Sequence, residues 1–271
     1  MDNLALHPAS KHLIQAYLRS PAHAVLVSGP NGIGTKSIAF AMASDLQARH
    51  DDVHVIVPDE KGTIPIEQIR GLYTLTRTVY DSPRVVIIDD AECMSHAAQN
   101  ALLKLLEEPS AQTYFILTSH QPQLLLATIR SRVQQIELRP VDAEQSSNLI
   151  KTAPAAEQKR LLFIAQGLPA ELTRLNQDKD YFAAQAELVN VARKLLQADQ
   201  YDRLIITKDY KDRAAAIQLV KMVGRLLEFS VLHQLRADLA NALELVEHVH
   251  GNLRANGNVR IQLDYLVTKL P

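Results

Sequence analysis

The stretch Val85-Val86-Ile87-Ile88-Asp89-Asp90-Ala91-Glu92 carries four branched apolar residues that run directly into a group of three carboxylates. A continuous apolar run of this kind is typical of a strand that is buried on both faces of a parallel sheet. In open α/β sheets, ligands bind outside the carboxyl ends of the strands. The stretch therefore predicts a central strand whose acidic end, at Asp89 and Asp90, lies in a ligand site.

Length, composition and charge set the limits for the rest of the chain. Its 271 residues, 47% of them hydrophobic, are enough for one large domain or several small ones with a sizeable core. A formal net charge of −1 gives no general attraction to nucleic acid or to an anionic membrane. The single cysteine, Cys93, excludes a disulfide framework and a cysteine zinc site within the chain. Signal-peptide features and long apolar runs are absent from the sequence, so we expect a cytoplasmic protein without a membrane partner.

A glycine-rich turn follows the short apolar strand that Ala24 to Ser28 predicts, and a helix is predicted after the turn. The turn reads Gly29-Pro30-Asn31-Gly32-Ile33-Gly34-Thr35-Lys36-Ser37. A strand, a glycine loop and a helix in this order form the usual setting of a P-loop, where backbone N–H groups and the helix N-terminus bind phosphate. The P-loop pattern requires Lys directly after the second glycine, but Thr35 stands there and Lys36 follows one position late.

The displaced lysine leaves three interpretations open. One residue on a helix is a turn of about 100°, so in the usual register Lys36 points away from a γ-phosphate and replaces the hydroxyl that would hold Mg²⁺. A local bulge would instead restore Lys36 and Ser37 to their usual places. The third interpretation is a glycine turn that packs a helix on a strand and binds no nucleotide. The sequence assigns no cofactor, leaves ATP and Mg²⁺ binding open, and favours a site without efficient hydrolysis.

Three further strands are predicted, over Val53 to Val57, over Tyr114 to Thr118 and in the segment that ends at Leu138. Thr118, Ser119 and His120 would lie beside Asp89 if their strand is a neighbour of the central one. Between the central strand and the strand over Tyr114 to Thr118, Ser95 can cap a helix over 96–108 that Pro109 stops. Glu107 and Glu108 at its C-terminus oppose the helix dipole, so they are expected to be solvated or to contact a cation from a neighbour.

The chain beyond residue 140 is predicted to be helical. Apolar spacing predicts a small helical unit followed by four helices, over 142–177, 181–198, 211–236, 238–250 and 259–270. The pair His248 and His250 is compatible with a metal ligand set. Because no cysteine or carboxylate-rich loop accompanies the pair, we predict no metal site.

Taken together, the motifs resemble those of the clamp-loader AAA+ family. The resemblance rests on the order of four runs, which are Gly29 to Gly34, Ile87 to Glu92, Asn100 to Pro109 and Thr128 to Val133. It implies an α/β fold with a P-loop AAA+ parallel five-stranded sheet over 1–140, a small helical lid over 141–180 and an α-helical collar domain over 181–271. It also implies a hetero-pentamer of motor and delta-type subunits that loads a sliding clamp on primed DNA during replication, within a DNA polymerase holoenzyme.

The resemblance also implies roles for individual residues. Asp89 matches the Walker B acid that would support Mg²⁺, and Asp90 stands where an active ATPase usually has Glu. Thr118, Ser119 and His120 cover the sensor-1 region. Arg132 matches the arginine of the Ser-Arg-Cys motif, which would act in trans on ATP bound by the neighbouring subunit.

Several departures from the family pattern favour a subunit that does not hydrolyse ATP. The Walker A lysine is displaced, Asp90 is one methylene shorter than Glu, and no sensor-2 arginine lies near Gly167. Val133 replaces the cysteine of the Ser-Arg-Cys motif but leaves the arginine. The alternative is an ATP-hydrolysing motor subunit that uses Lys36, Asp89 and Asp90.

Overall fold

The computed structural model describes residues 4–76, 82–234 and 237–270. The chain divides into two compact units, Met1–Gln177 and Asp178–Pro271. The sequence boundary predicted at residue 140 falls within the first unit, and the three-part division stays a prediction. Among the described residues, every helix is too short or too polar to cross a membrane.

A five-stranded parallel sheet forms the centre of the first unit, as the sequence predicts. The strands are β1 (Ala24–Ser28), β2 (Val53–Ile56), β3 (Arg84–Ile88), β4 (Thr113–Ser119) and β5 (Gln134–Glu137), in the spatial order β2-β3-β4-β1-β5. All five residues of β3 are buried, whereas the edge strands β2 and β5 are partly exposed. The stretch of branched residues therefore forms an interior strand because it supplies apolar side chains to both faces of the sheet.

Helices cover the two faces of this sheet. The helices of the first unit are α1 (Pro8–Arg19), α2 (Thr35–Asp45), α3 (Ile66–Thr76), α4 (His96–Glu107), α5 (Ala127–Arg130), α6 (Ala143–Leu149), α7 (Ala155–Ala165) and α8 (Pro169–Gln177). Side chains of α3 and α4, such as Leu72 and Leu102, pack with Val86 and Ile88. Side chains of α1 and α2, such as Met42, pack with Ile87 on the opposite face. Alternate residues of one strand thus contribute to two apolar cores.

The predicted N-cap of α4 is present, since the Ser95 side chain accepts a hydrogen bond from the Ala98 N–H. The helix ends at Glu107, one residue before the predicted end.

Beyond α4 the chain enters β4, and the pairing register of this strand determines which strand ends are neighbours. Ile88 pairs with Leu117 in β4, and Ser28 pairs with Ser119, so the carboxyl ends of β1, β3 and β4 lie side by side.

The segment α6–α8 connects back to the sheet through a glycine turn. The Val141 N–H donates to the Gly167 carbonyl at 2.8 Å, and Gly167 has a left-handed φ of +74°. A Cβ at Gly167 would lie 2.4 Å from the Val141 carbonyl oxygen, so this close approach requires glycine. Leu168 is buried in the core beneath α1 and α2, which fixes the start of α8 close to the glycine loop.

The second unit is entirely helical in its described part. Its helices are α9 (Lys179–Gln197), α10 (Gln200–Lys208), α11 (Arg213–Gln234), α12 (Ala237–Arg254) and α13 (Val259–Lys269). The four predicted helices correspond to α9, α11, α12 and α13, although residues 235 and 236 of the prediction lie outside the described residues. The sequence did not predict α10, a short helix that the Asp199 side chain caps at the Asp202 N–H.

Candidate nucleotide site

The glycine loop after β1 has the backbone of a phosphate loop. Gly32 and Gly34 both have left-handed φ angles, +92° and +97°, which glycine adopts without strain. Gly34 is the N-cap of α2, and the Ile38 N–H already donates to its carbonyl at 3.0 Å. The helix therefore begins directly after Gly34 and the bulge considered for Lys36 is not formed. Thr35 is buried at 3% exposure in the lysine position of the pattern, and Ser37 is exposed in the same turn.

Lys36 points from the first turn of α2 to the end of β3. Its Nζ lies 2.9 Å from Asp89 Oδ2, in an ion pair with an aspartate whose side chain is only 10% exposed. In a P-loop of this register, position 36 carries the hydroxyl that holds Mg²⁺ beside the Walker B acid. The structure therefore places an ammonium group where the family pattern places a metal ion.

Asp89 is held on its other oxygen by β4. The Thr118 Oγ1 donates to Asp89 Oδ1 at 2.7 Å and accepts from the Asp90 N–H at 3.0 Å. The predicted proximity of Thr118 to Asp89 is thus present, and it follows from the β3–β4 pairing. Both carboxylate oxygens of Asp89 already have partners within the chain.

Asp90 has an unusual backbone and an unfavourable charge environment. Its φ of 49° and ψ of 52° are left-handed, a conformation that Asp tolerates better than most residues. Partial burial raises the pKa of the Asp90 carboxyl, and the neighbouring carboxylate of Asp89 raises it further. His120 offers partial compensation, since its Nε2 lies 3.6 Å from Asp90 Oδ1.

The three residues of the sensor-1 region have different surroundings. Thr118 contacts Asp89 through its hydroxyl group. Ser119 is fully buried, its Oγ accepts from the Gln121 N–H, and its carbonyl accepts from the Gly29 N–H at 3.2 Å. The His120 Nδ1 lies 2.8 Å from the Gly29 carbonyl, which can only accept, so Nδ1 carries the proton. His120 therefore connects the glycine loop to the acid cluster.

Glu92 has a structural role that the sequence did not reveal. Its Oε1 accepts from the N–H groups of His120 and Gln121 at 2.8 and 3.1 Å. This carboxylate holds the chain just after β4 in place. Its presence in the acid cluster was the only signal in the sequence, and the pattern did not distinguish it from a metal ligand.

The start of α8 lies directly on the glycine loop. The Glu171 N–H donates to the Gly32 carbonyl at 2.9 Å, and a Cβ at Gly32 would lie 2.9 Å from Glu171 Cβ. A Cβ at Gly34 would lie 3.4 Å from the Ala170 methyl group. The segment therefore presents a methyl group and an acidic residue to the loop, in the region where ATPase members of the family offer an arginine.

These residues do not fit magnesium-bound ATP. Mg²⁺ requires near-octahedral oxygen coordination, usually with a carboxylate and, in P-loop proteins, the Ser or Thr hydroxyl of the loop. Here the position of that hydroxyl is Lys36, and its ammonium group is bound to Asp89 Oδ2. The site therefore lacks the hydroxyl ligand of the loop, and the charge of its carboxylate ligand, Asp89, is already neutralised by Lys36.

Arg132 lies away from this cluster. It follows α5 and precedes β5, its Nη2 lies 2.8 Å from Glu107 Oε1, and its Nη1 donates to the Thr128 carbonyl at 3.1 Å. Its side chain is 38% exposed. The contact with a cation that was considered for Glu107 is thus present, and the cation belongs to the same chain, while Glu108 is exposed.

The histidine pair lies on α12. His248 Nε2 is 3.0 Å from Asn252 Nδ2, and its ring packs edge-on against Tyr265 of α13 at a centroid distance of 6.2 Å. No group of three or more metal-ligating side chains occurs among the residues that the structure describes.

The fold and the site define an AAA+ P-loop protein with an altered Walker A lysine. The family model described as "DNA polymerase III, delta subunit" matches residues 46–142. The DNA polymerase III subunit delta′ of Pseudomonas aeruginosa is 33% identical over 204 residues, which cover 65% of this chain and 62% of that protein. The delta′ subunit of Escherichia coli is 26% identical over 230 residues, covering 73% of this chain and 68% of that protein.

A solved structure shows the same fold over nearly the whole chain. A DNA polymerase III gamma subunit-related protein from Thermotoga maritima superposes with a TM-score of 0.60 at 18% identity, covering 96% of this chain and 97% of that one. The chain is therefore similar in sequence to bacterial DNA polymerase III delta-prime subunits. The matched regions span between 50% and 68% of the first curated relatives.

Proposed function

We propose that this chain is a delta-prime-like subunit of a clamp loader, which assembles with motor and delta-type subunits in a hetero-pentamer. In this role it does not hydrolyse ATP itself. It helps to place a sliding clamp on primed DNA and supplies Arg132 to ATP bound by the neighbouring motor subunit. The similarity to delta-prime subunits supports the choice of complex.

The position of Arg132 carries the proposal of action in trans. Asp89, Gly29 and His120 follow the carboxyl ends of their strands, whereas Arg132 precedes the parallel strand β5 and so lies at the amino edge of the sheet. The four residues of β5 separate the two edges by about 13 Å. A guanidinium group at the amino edge is remote from the chain's own phosphate loop, so any phosphate it contacts belongs to another subunit.

The contacts of Arg132 also suit an arginine finger. Glu107 and the Thr128 carbonyl hold the guanidinium group at the surface in a defined direction, and both bonds are exposed. Exposed ion pairs contribute only about 0–1 kcal/mol, so a phosphate group can replace Glu107 at small cost. A positioned guanidinium then stabilises the charge on the transferring phosphoryl group.

The acid cluster and the glycine loop support the proposal that this chain does not hydrolyse ATP itself. Lys36 neutralises Asp89, Asp90 is too short for the usual role of Glu, and the start of α8 brings Ala170 and Glu171 to the loop. Each change affects an element that positions magnesium, water or the γ-phosphate. A competent ATPase needs all three to be in place.

The test is ATP turnover by the reconstituted clamp loader with clamp and primed DNA. Arg132→Ala is expected to leave assembly intact in gel filtration but to lower turnover at least tenfold, since arginine fingers contribute about 10³–10⁵. Arg160→Ala, which removes an exposed guanidinium on α7, is the matched control. Unchanged turnover with Arg132→Ala contradicts the proposal, and turnover by the isolated wild-type chain favours the motor-subunit alternative.

A further inference from the structure

We propose that Lys36 serves as a built-in cation that replaces Mg²⁺ at the Walker B aspartate, so that the carboxyl ends of β3 and β4 are ordered without a metal-bound nucleotide. Lys36 acts at the chain's own site, and its role is independent of the role proposed for Arg132.

The positive charge of Lys36 is located at the end of β3. Because α2 begins without a bulge, position 36 faces this strand end, and the Lys36 ammonium reaches Asp89 Oδ2 at 2.9 Å. A serine or threonine at this position would leave a gap between its hydroxyl and the carboxylate. In a P-loop of ordinary sequence that gap is filled by the metal ion.

Asp89 needs a counter-ion because it is buried. The Asp89 side chain is 10% exposed, and a buried carboxylate without a counter-ion is strongly destabilising. Lys36 pairs with Oδ2 while Thr118 donates to Oδ1, so the charge and hydrogen bonds of Asp89 are satisfied within the chain. Asp89 therefore has no need of an external cation.

The remaining acids of the site add negative charge that Lys36 does not offset. Asp90 and Glu92 follow in the same turn. The Lys36 ammonium group offsets the charge of Asp89 alone. The other carboxylates repel the phosphate groups of a nucleotide unless bound magnesium neutralises them. The site thus combines a fixed cation for its own aspartate with a setting that disfavours nucleotide.

The order of two neighbouring residues distinguishes this site from a working P-loop. Exchange of Thr35 and Lys36 returns lysine to the position after Gly34 and a hydroxyl to the position beside Asp89. The exchange keeps composition and net charge unchanged. It is therefore the sharpest variant with which to restore a magnesium site.

Thermal unfolding with and without about 10 mM Mg²⁺ tests the replacement directly. The wild-type melting temperature is expected to be independent of Mg²⁺. Lys36→Thr is expected to melt about 3–6 °C lower and to regain at least half of this loss with Mg²⁺, because the metal enters the vacated place. Lys159→Ala, which removes an exposed lysine of α7, should melt as the wild type does in both conditions.

Three results would overturn the proposal. They are a wild-type chain that Mg²⁺ stabilises as strongly as the variant, a Lys36→Thr variant with unchanged melting temperature, and a variant whose loss of melting temperature Mg²⁺ does not restore.

If Lys36→Thr does not fold, equilibrium binding of fluorescently labelled ATP to the wild type and to the variant with Thr35 and Lys36 exchanged tests the proposal instead. The wild type should bind equally weakly with and without Mg²⁺, and the exchanged variant should bind at least tenfold more tightly with it. Magnesium-dependent binding by the wild type, or an exchanged variant without it, rejects the inference. Neither assay depends on Arg132, so the two proposals can fail separately.

Discussion

The Thr118 hydroxyl donates to Asp89 Oδ1 at 2.7 Å, and the same oxygen of Thr118 accepts from the next backbone N–H, that of Asp90. One buried side chain of β4 thus satisfies the carboxylate at the end of β3 and the strained residue that follows it. The arrangement explains how a left-handed Asp90 and a buried Asp89 coexist at one strand end.

Thr118→Val is therefore expected to lower the free energy of unfolding of the first unit by about 1–3 kcal/mol, because the isosteric change leaves a buried acceptor and a buried donor without partners. Urea unfolding followed by far-ultraviolet circular dichroism measures it, since the chain has no tryptophan. Thr118→Ser keeps the hydroxyl and should lose clearly less. A loss for Thr118→Val no larger than that for Thr118→Ser would mean that the two hydrogen bonds of the hydroxyl contribute no more than the packing of the methyl group.

The sequence predicted those parts of the fold that depend on neighbouring residues or on the general rules of parallel sheets. The branched run Val85 to Ile88 can be buried on both faces only in an interior strand, and Ser95 marks the start of α4 by a short-range hydrogen bond. The carboxyl-edge rule then predicted that Thr118 lies near Asp89. These features depend on neighbouring residues or on one general rule of parallel sheets.

The sequence did not predict the contacts that Arg132 and the start of α8 make with other segments. The pairing of Arg132 with Glu107 and the bond from Glu171 to Gly32 join residues whose sequence separation carries no signal. The direction of the Lys36 side chain depended on whether α2 begins with a bulge. A bulge shifts the helix by one residue, and the spacing of apolar residues does not locate a helix start that closely. Helix α10 was missed because its nine residues are too few for a clear apolar spacing.

Arg203 of α10 is expected to be a main stabilising residue of the second unit. It is 7% exposed, and its guanidinium donates to the carbonyls of Leu195, Leu196 and Leu270. Arg203→Met removes these charge-assisted bonds and leaves buried carbonyls, so the free energy of unfolding should fall by about 2–4 kcal/mol. Arg193→Met, an exposed change on α9, is the control in the same urea titration. A loss below about 1 kcal/mol for Arg203→Met would show that water replaces the guanidinium.

Asp90→Asn is expected to stabilise the protein at neutral pH. Because the pKa of Asp90 is raised in the folded state, its ionised form is less favourable there than in the unfolded chain. This penalty is absent at pH values below the ordinary pKa of Asp and appears as the pH rises through the raised pKa. The asparagine variant should therefore melt about 1–2 °C above the wild type at pH 7, and the difference should vanish in acid.

Melting curves of both proteins across the acid range measure this difference. Ser37→Ala, an exposed change in the adjoining helix turn, should show no pH-dependent difference from the wild type. A difference for Asp90→Asn that grows on acidification would have the wrong sign and would mean that the Asp90 carboxylate is favoured by His120 more than it is opposed by Asp89.

Gly32 and Gly62 form a matched pair for measuring the contact between α8 and the glycine loop. Both have left-handed φ angles, +92° and +73°, so alanine at either position introduces a similar backbone strain of about 1 kcal/mol. A Cβ at Gly32 would additionally lie 2.9 Å from Glu171 Cβ, whereas nothing lies within 4 Å of one at Gly62. Gly32→Ala is therefore expected to cost about 1–3 kcal/mol more than Gly62→Ala in urea unfolding. Equal costs for the two variants would mean that α8 moves away from the loop without loss, so that the contact with Glu171 does not hold it there.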